Sequence, residues 1–126
     1  MATVMFIDDN ADTLALMERS ISMLGHKAIC YCDEQIALQL ARENPPDLIF
    51  TDLGLQSIDG LTILRILKEK EETRNIPVIV VSAGSTPQDR AEALSAGADG
   101  FIEKPVRFDE LNYVFEKFLP KTQDQR

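Results

Sequence analysis

The chain has 126 residues, of which 44% are hydrophobic and 27% are charged. This length suits one ordinary domain with a single core, and the composition is that of a soluble globular protein. The formal net charge of −8 argues against direct nucleic-acid binding, which needs basic groups facing phosphates. Since the chain shows neither an apolar run of membrane-spanning length nor a secretory signal pattern, we expect a cytoplasmic protein without membrane association.

Short apolar runs of strand length alternate along the chain with segments of helical periodicity. The first run is "TVMFI" (3–7), and apolar residues at helical spacing then lead to Gly25. The predicted strands are 3–7, 28–32, 48–51, 76–82 and 100–103, each followed by a predicted helix. This alternation predicts one α/β domain in which five helices cover both faces of a five-stranded parallel sheet.

Local signals indicate where several of these helices begin. Asp33 can cap the second helix, and Asp59-Gly60 opens the third. Thr86 is followed by proline, the residue favoured at the first helical position, and therefore marks the start of the fourth.

The cysteines and the single histidine give no sign of a metal or redox site. Cys30 and Cys32 lie two apart in "AICYC", so on a strand they would face the same way, and we interpret both as packing residues. His26 follows Gly25 in a predicted turn, and we assign it no functional role.

The carboxyl ends of the predicted strands carry polar side chains, at the edge where parallel sheets bind ligands. Asp8-Asp9 ends the first strand, Asp52 the third, Ser82 the fourth, and Lys104 follows the fifth. Each residue alone has a plain structural interpretation, as a turn, a helix cap or a surface charge. Together, three acids, a hydroxyl and an amine at one edge indicate a site.

Electrostatics indicates what such a site would bind. Two carboxylates about 4 Å apart repel by roughly 4 kcal/mol at an effective dielectric constant of about 20. A divalent cation removes this conflict, and oxygen ligands with room for water and phosphate suit Mg²⁺. With Lys104 as a further positive charge and Ser82 as a hydrogen-bond donor, the set predicts a phosphoryl pocket beside a carboxylate nucleophile, Asp52.

From Thr3 to about Leu119 the chain resembles a response-regulator receiver domain of two-component signalling. The resemblance rests on "FIDDN", "LIFTD", "VIVVSA" and "EKP", which have the order and spacing of that family. It implies a doubly wound, flavodoxin-like sheet with strand order 2-1-3-4-5. It also implies a receiver domain over residues 1–119 and a polar C-terminal tail over residues 120–126.

The resemblance implies that Asp52 is the phosphoacceptor and one of the ligands of Mg²⁺. Asp9 would bind the ion directly and Asp8 largely through water, with the backbone carbonyl of Gly54 completing the protein ligands.

By the same resemblance, Ser82 binds the phosphoryl oxygens, Ala83 keeps the approach open and Lys104 pairs with the phosphoryl charge. Phe101 occupies the family's aromatic switch position and would respond to Ser82. The family's function is to accept a phosphoryl group from a sensor histidine kinase or a histidine phosphotransfer protein. Such a domain is a switch rather than an enzyme, although it assists its own phosphorylation and dephosphorylation.

The resemblance defines the binding partner and the signalling pathway less narrowly than it defines the site residues. The resemblance implies a downstream protein target that binds the face made by the fourth helix, fifth strand and fifth helix. No output domain follows in this sequence, so we expect a stand-alone regulator that signals through protein contacts. A chemotaxis-type regulator, a phosphorelay intermediate and a receiver cut from a larger protein remain open.

The sequence departs from the family pattern after the phosphoacceptor. "LGLQSIDG" carries Leu55-Gln56 where the family often has Met-Pro, which leaves the shape of this loop open. Gly54 and Gly84 occupy two positions whose side chains often tune hydrolysis in the family.

Two other classes of protein are alternatives. A haloacid-dehalogenase-type phosphatase also uses a strand-end aspartate, but it places a second aspartate two residues later, where this chain has Gly54, and its acidic pair comes late in the chain. A degenerate receiver acting as a phosphorylation-independent binding module would lack an acid or the lysine, and here both are present.

Overall fold

The computed structural model of the protein describes residues 1–54 and 59–119. Within these residues, five strands alternate with five helices, and neighbouring strands run parallel. The elements are β1 (Thr3–Ile7), α1 (Ala11–Met23), β2 (Lys27–Tyr31), α2 (Glu34–Glu43), β3 (Leu48–Asp52), α3 (Gly60–Glu69), β4 (Val78–Ser82), α4 (Pro87–Ser95), β5 (Gly100–Glu103) and α5 (Phe108–Phe118). The sheet order is β2-β1-β3-β4-β5, which confirms the predicted doubly wound topology. The loop at 55–58 and the predicted tail at 120–126 lie outside the described residues.

The core forms two layers, one on each face of the sheet. On one face, Phe6 of β1 and Phe50 of β3 stack with their ring centroids 5.3 Å apart, beneath α1 and α5. On the other face, alternate residues of the same strands pack against α2, α3 and α4. All five residues of β3 and of β4 are buried, as expected for central strands covered on both sides.

Three predicted strands have different bounds in the structure. β3 runs one residue further than predicted, to Asp52. β4 begins at Val78 rather than at residue 76, because Pro77 has no N–H for a ladder and Ile76 N–H donates to Thr73 O in the preceding turn. β2 ends at Tyr31, so Cys32 lies beyond the strand and is exposed. The packing interpretation is right for Cys30, which contacts the core on the α1 and α5 side, and wrong for Cys32.

Side-chain caps fix the helix starts nearest the carboxyl edge of the sheet. Asn10 Oδ1 accepts a hydrogen bond from Thr13 N–H directly after the Asp8-Asp9 pair. Asp59 Oδ1 accepts from Thr62 N–H at 2.8 Å, and Thr86 forms a reciprocal capping pair with Asp89. The predicted helix starts at Asp33, Asp59 and Thr86 are confirmed.

His26 has a structural role that the sequence did not reveal. Its Nδ1 accepts a hydrogen bond from Ala2 N–H at 3.1 Å. The imidazole also meets the ring of Phe115 edge to face, with the centroids 4.9 Å apart. His26 therefore joins the start of β1 to α5, at the sheet edge opposite the strand ends that carry the acids.

Candidate functional site

Three carboxylates converge where β1 and β3 end side by side. Asp8 and Asp9 follow β1, and Asp52 is the last residue of the adjacent β3. One oxygen from each carboxylate lies within 4.8 Å of the others. Asp8 is 0% exposed and Asp52 is 7% exposed, whereas Asp9 is partly open to solvent. The predicted convergence of these three acids is present in the structure.

Lys104 reaches this cluster from beyond β5. Its Nζ lies 2.8 Å from Asp8 Oδ2 and donates a hydrogen bond to Asp52 Oδ2 at 3.1 Å. Burial opposes the charge on Lys104, but the two carboxylates outweigh it and raise the pKa of the ammonium. The site therefore contains a permanent positive charge that bridges two of its acids.

The buried Asp8 carboxylate has one backbone partner and one charged partner. Its Oδ1 accepts a hydrogen bond from Asn10 N–H at 2.9 Å. Among the described residues, its Oδ2 has the charge contact with Lys104 but no partner at hydrogen-bond geometry. Burial raises the pKa of this carboxyl, against the opposing effects of Lys104 and the Asn10 N–H. Three carboxylates that each place an oxygen within 4.8 Å of the others fit a divalent cation such as Mg²⁺.

The remaining predicted site residues lie on the same edge of the sheet. Gly54 N–H donates to Asp52 Oδ1 at 3.3 Å, which holds the backbone after β3 beside the acids. Ser82 is the buried last residue of β4, and its carbonyl accepts from Lys104 N–H at 2.8 Å. Ala83 follows it and is exposed. Their roles toward a phosphoryl group remain predictions.

Gly60 was predicted only as part of a helix start, but the structure shows why glycine is needed there. A β-carbon at Gly60 would lie 2.6 Å from Leu53 Cα and closer still to the carbonyl oxygen of Asp52. Gly60 N–H also donates to Leu53 O at 3.0 Å. The first turn of α3 therefore packs directly on the backbone that carries Asp52. An Asp-Gly pair at a helix start, soon after an acidic strand end, was the available signal.

Phe101 lies on β5 opposite Val80, on the sheet face covered by α4. Its ring is partly buried, and the Arg90 guanidinium carbon lies 5.8 Å from the ring centroid. The ring therefore contacts α4 in this structure.

Comparison with known proteins agrees with this geometry. The family model described as "Response regulator receiver domain" matches residues 4–116. The chain belongs to the response regulator receiver domain family. This membership replaces the alternative of a haloacid-dehalogenase-type phosphatase, which would carry a second aspartate at the position of Gly54.

Two relatives illustrate the range of the family. The receiver domain is 36% identical over 117 residues to the polar-differentiation response regulator DivK of Brucella ovis, covering 93% of this chain and 95% of DivK. It is 36% identical over 108 residues to the transcriptional regulatory protein PrrA of Mycobacterium tuberculosis, covering 86% of this chain. In that second comparison the chain spans only 46% of the relative's length.

A solved structure shows a comparable cleft with its metal. The receiver domain of the sensor histidine kinase PA1611 from Pseudomonas aeruginosa PAO1 contains a magnesium ion coordinated in its active-site cleft. It is 25% identical to this chain, with a TM-score of 0.85, and the match covers 93% of this chain and 96% of that one.

Within residues 1–54 and 59–119, no helix has the length and apolar character that a membrane crossing requires.

Proposed function

We propose that the receiver domain, over residues 1–119, is a switch in which Asp52 accepts a phosphoryl group from a sensor histidine kinase or a histidine phosphotransfer protein. The observation that carries this proposal is the cluster of Asp8, Asp9 and Asp52 with Lys104 bridging two of its members. This arrangement supplies a carboxylate nucleophile, a cation-binding acid set and a fixed ammonium at a single edge of the sheet.

Transfer requires one Asp52 oxygen to form a bond to phosphorus while the phosphorus–nitrogen bond of the donor phosphohistidine breaks. The bonding pair leaves with the donor imidazole, which takes up a proton. Lys104, already 3.1 Å from Asp52 Oδ2, pairs with the transferred oxygens, and the Ser82 hydroxyl donates to one of them. Ala83 adds only a methyl group beside the entering phosphoryl group, so the approach stays open.

Asp9 would hold Mg²⁺ directly, Asp8 largely through water, and Asp52 and the Gly54 carbonyl would complete the protein ligands. When bound, the ion supplies positive charge that offsets the phosphoryl oxygens and the clustered carboxylates. The clustering of the three carboxylates, with one oxygen of each within 4.8 Å of the others, supports this assignment.

The same groups serve hydrolysis of the aspartyl phosphate, so the domain assists both its own phosphorylation and its dephosphorylation without turning over a separate substrate. Gly54 and Gly84 present no side chain to the attacking water. Neither residue orients that water or blocks it.

Phosphorylation is read out through Ser82 and Phe101. The phosphoryl group draws the Ser82 hydroxyl toward Asp52, and the ring of Phe101, which points to the same sheet face, moves into the space that Ser82 vacates. Phenylalanine has no hydroxyl to keep in water, so burial of its ring costs little free energy.

NMR spectra with beryllofluoride, which mimics the phosphoryl group, should show shifted Ser82 and Phe101 signals. Unchanged signals for both residues would exclude this switch.

A downstream protein would bind at the face of α4, β5 and α5. A groove of about 520 Å³ lies there, with an apolar floor and a rim of both charge signs. It is lined by Ile79, Arg90, Leu94, Asp99, Gly100, Phe101, Ile102, Asp109, Glu110, Tyr113, Val114, Lys117 and Phe118. Since Phe101 lines the groove, movement of its ring would change the surface that the partner meets.

We place the phosphoryl transfer to Asp52 in the cytoplasm, where kinases obtain phosphoryl groups from ATP.

The proposal is tested by incubating the protein with acetyl phosphate and measuring incorporation of phosphate. We expect Mg²⁺-dependent labelling that Asp52→Asn abolishes and that Asp9→Ala makes much weaker at the same Mg²⁺ concentration. Asp47→Asn is the matched control because Asp47 immediately precedes β3, at the end opposite Asp52, and should label normally. Absence of labelling in the unaltered protein would favour the alternative of a phosphorylation-independent binding module.

A further inference from the structure

A side-chain hydrogen bond ties the loop after β4 to the end of β5. Ser85 Oγ donates to Glu103 Oε2 at 2.8 Å, although the two residues are 18 positions apart. The backbone bond from Lys104 N–H to Ser82 O, also 2.8 Å, joins the same two segments. The loop residues between these two ties are Ala83 and Gly84.

We infer that the Ser85–Glu103 bond is a latch that holds this loop in its resting position and so limits the fraction of molecules ready to receive a phosphoryl group. The inference rests on the proposed function, in which the Ser82 hydroxyl moves toward the phosphoryl oxygens. In the part of the chain that the structure describes, the Ser82 hydroxyl makes no hydrogen bond to Asp52. In the proposed readout the Ser82 hydroxyl moves toward the phosphoryl group, and Ser85 lies only three residues further along the same loop.

The two loop residues between these ties are exposed rather than packed. Ala83 and Gly84 are exposed, and a β-carbon at Gly84 would have no neighbour within 4 Å. Immediately after Ser85, Thr86 caps α4, the helix whose Arg90 lies over Phe101. Ser85 is thus a positioning residue at the junction between the phosphoryl site and the helix that contacts the switch ring.

The bond has a suitable strength for a latch. Glu103 is exposed and Ser85 is partly exposed, so water competes for both groups. A single hydrogen bond of this kind contributes about 1 kcal/mol, which corresponds to about a fivefold bias in a two-state equilibrium. Such a bias is easily reversed by the new interactions of a phosphoryl group.

The test is a titration of the Mg²⁺-loaded protein with beryllofluoride, followed by the NMR signals of Ser82 and Phe101. When only a small fraction of molecules is binding-competent, the apparent dissociation constant falls as that fraction rises. We expect Ser85→Ala to bind beryllofluoride about fivefold more tightly than the unaltered protein. Ser85→Thr keeps the hydroxyl and should bind as the unaltered protein does.

Variants of Glu103 distinguish loss of the Ser85–Glu103 bond from a general effect of Ser85→Ala on the loop or on local charge. In a Glu103→Ala protein the acceptor is already missing, so adding Ser85→Ala should leave the affinity unchanged. Glu103→Gln keeps an oxygen acceptor without the charge, and in that background Ser85→Ala should again tighten binding. If the bond were merely structural, its removal would lower the melting temperature without tightening beryllofluoride binding.

The outcomes are distinguishable. Unchanged or weaker binding by Ser85→Ala would overturn the latch while leaving the proposed function intact. An equal effect of Ser85→Ala in the unaltered protein and in the Glu103→Ala protein would also overturn it, because the serine would then act through another group. Failure of the unaltered protein to bind beryllofluoride would overturn the proposed function and this inference with it.

Discussion

Lys104 illustrates how a single side chain makes a crowded acidic site compatible with a stable fold. Asp8 is fully buried, with an oxygen within 4.8 Å of the Asp9 and Asp52 carboxylates. Two carboxylates at about 4 Å repel by roughly 4 kcal/mol at an effective dielectric constant of about 20. The ammonium of Lys104 contacts both Asp8 and Asp52 and offsets much of this repulsion. In the proposed reaction the same ammonium pairs with the incoming phosphoryl charge. Lys104 would therefore stabilise both the unphosphorylated and the phosphorylated site.

His26 predicts a pH dependence of stability. Burial, followed by the charge of the amino terminus, lowers the pKa of His26 below its ordinary value of 6.5, and Asp47 only partly opposes this. The folded state therefore favours the neutral ring, whose Nδ1 accepts from Ala2 N–H. This stabilisation is complete above about pH 6.5 and is lost as the pH falls below that value toward the lower folded-state pKa.

Urea unfolding between pH 7.5 and 5 measures this effect. The unaltered protein should lose stability across that range by no more than about 1.4 kcal/mol per pH unit from this single proton. His26→Gln should be less stable at pH 7.5 and should lose less on acidification. Parallel pH profiles for the two proteins would contradict the role assigned to His26.

At the scale of elements, the site depends on how closely α3 approaches the end of β3. Gly60→Ala should force the Asp52–Leu53 backbone to shift, because the nearest atoms to the new β-carbon are backbone rather than flexible side chain. We expect a loss of about 1–3 kcal/mol in the free energy of unfolding, typical of overpacking, together with slower phosphorylation of Asp52. Denaturant unfolding and phosphate incorporation measure the two effects.

Gly100→Ala is the matched control for this prediction. A β-carbon there would lie 2.8 Å from Ile79 Cδ1, the end of a side chain rather than backbone. We expect this variant to lose less stability and to keep its phosphorylation rate. Equal rates for Gly60→Ala and the unaltered protein would show that the α3 contact does not position Asp52.

The whole-molecule topology explains why so much of the site could be predicted from sequence. Parallel strands place their carboxyl ends at one edge, so Asp8, Asp52 and Lys104 were expected together although 96 residues separate the first from the last. Strand existence was equally predictable, because β3 and β4 read as continuous apolar runs.

The features that could not be predicted depend on side-chain packing between distant segments. Ser85 and Glu103 each look like ordinary surface residues, and only the folded chain brings their side chains to 2.8 Å. The bond between His26 and the start of β1 likewise joins residues 24 positions apart. Cys32 was misassigned because its exposure depends on where β2 ends, a boundary that apolar periodicity does not define closely.

The most direct test of the central claim is to locate the phosphoryl group itself. After phosphorylation with acetyl phosphate and Mg²⁺, borohydride reduces an aspartyl phosphate to homoserine, which tandem mass spectrometry assigns to one position. We predict homoserine at position 52 in the phosphorylated protein, and none there when Mg²⁺ is omitted or when Asp52→Asn is used. Homoserine at Asp8, at Asp9 or at any other aspartate, with Asp52 unmodified, would contradict the assignment of Asp52 as the phosphoacceptor.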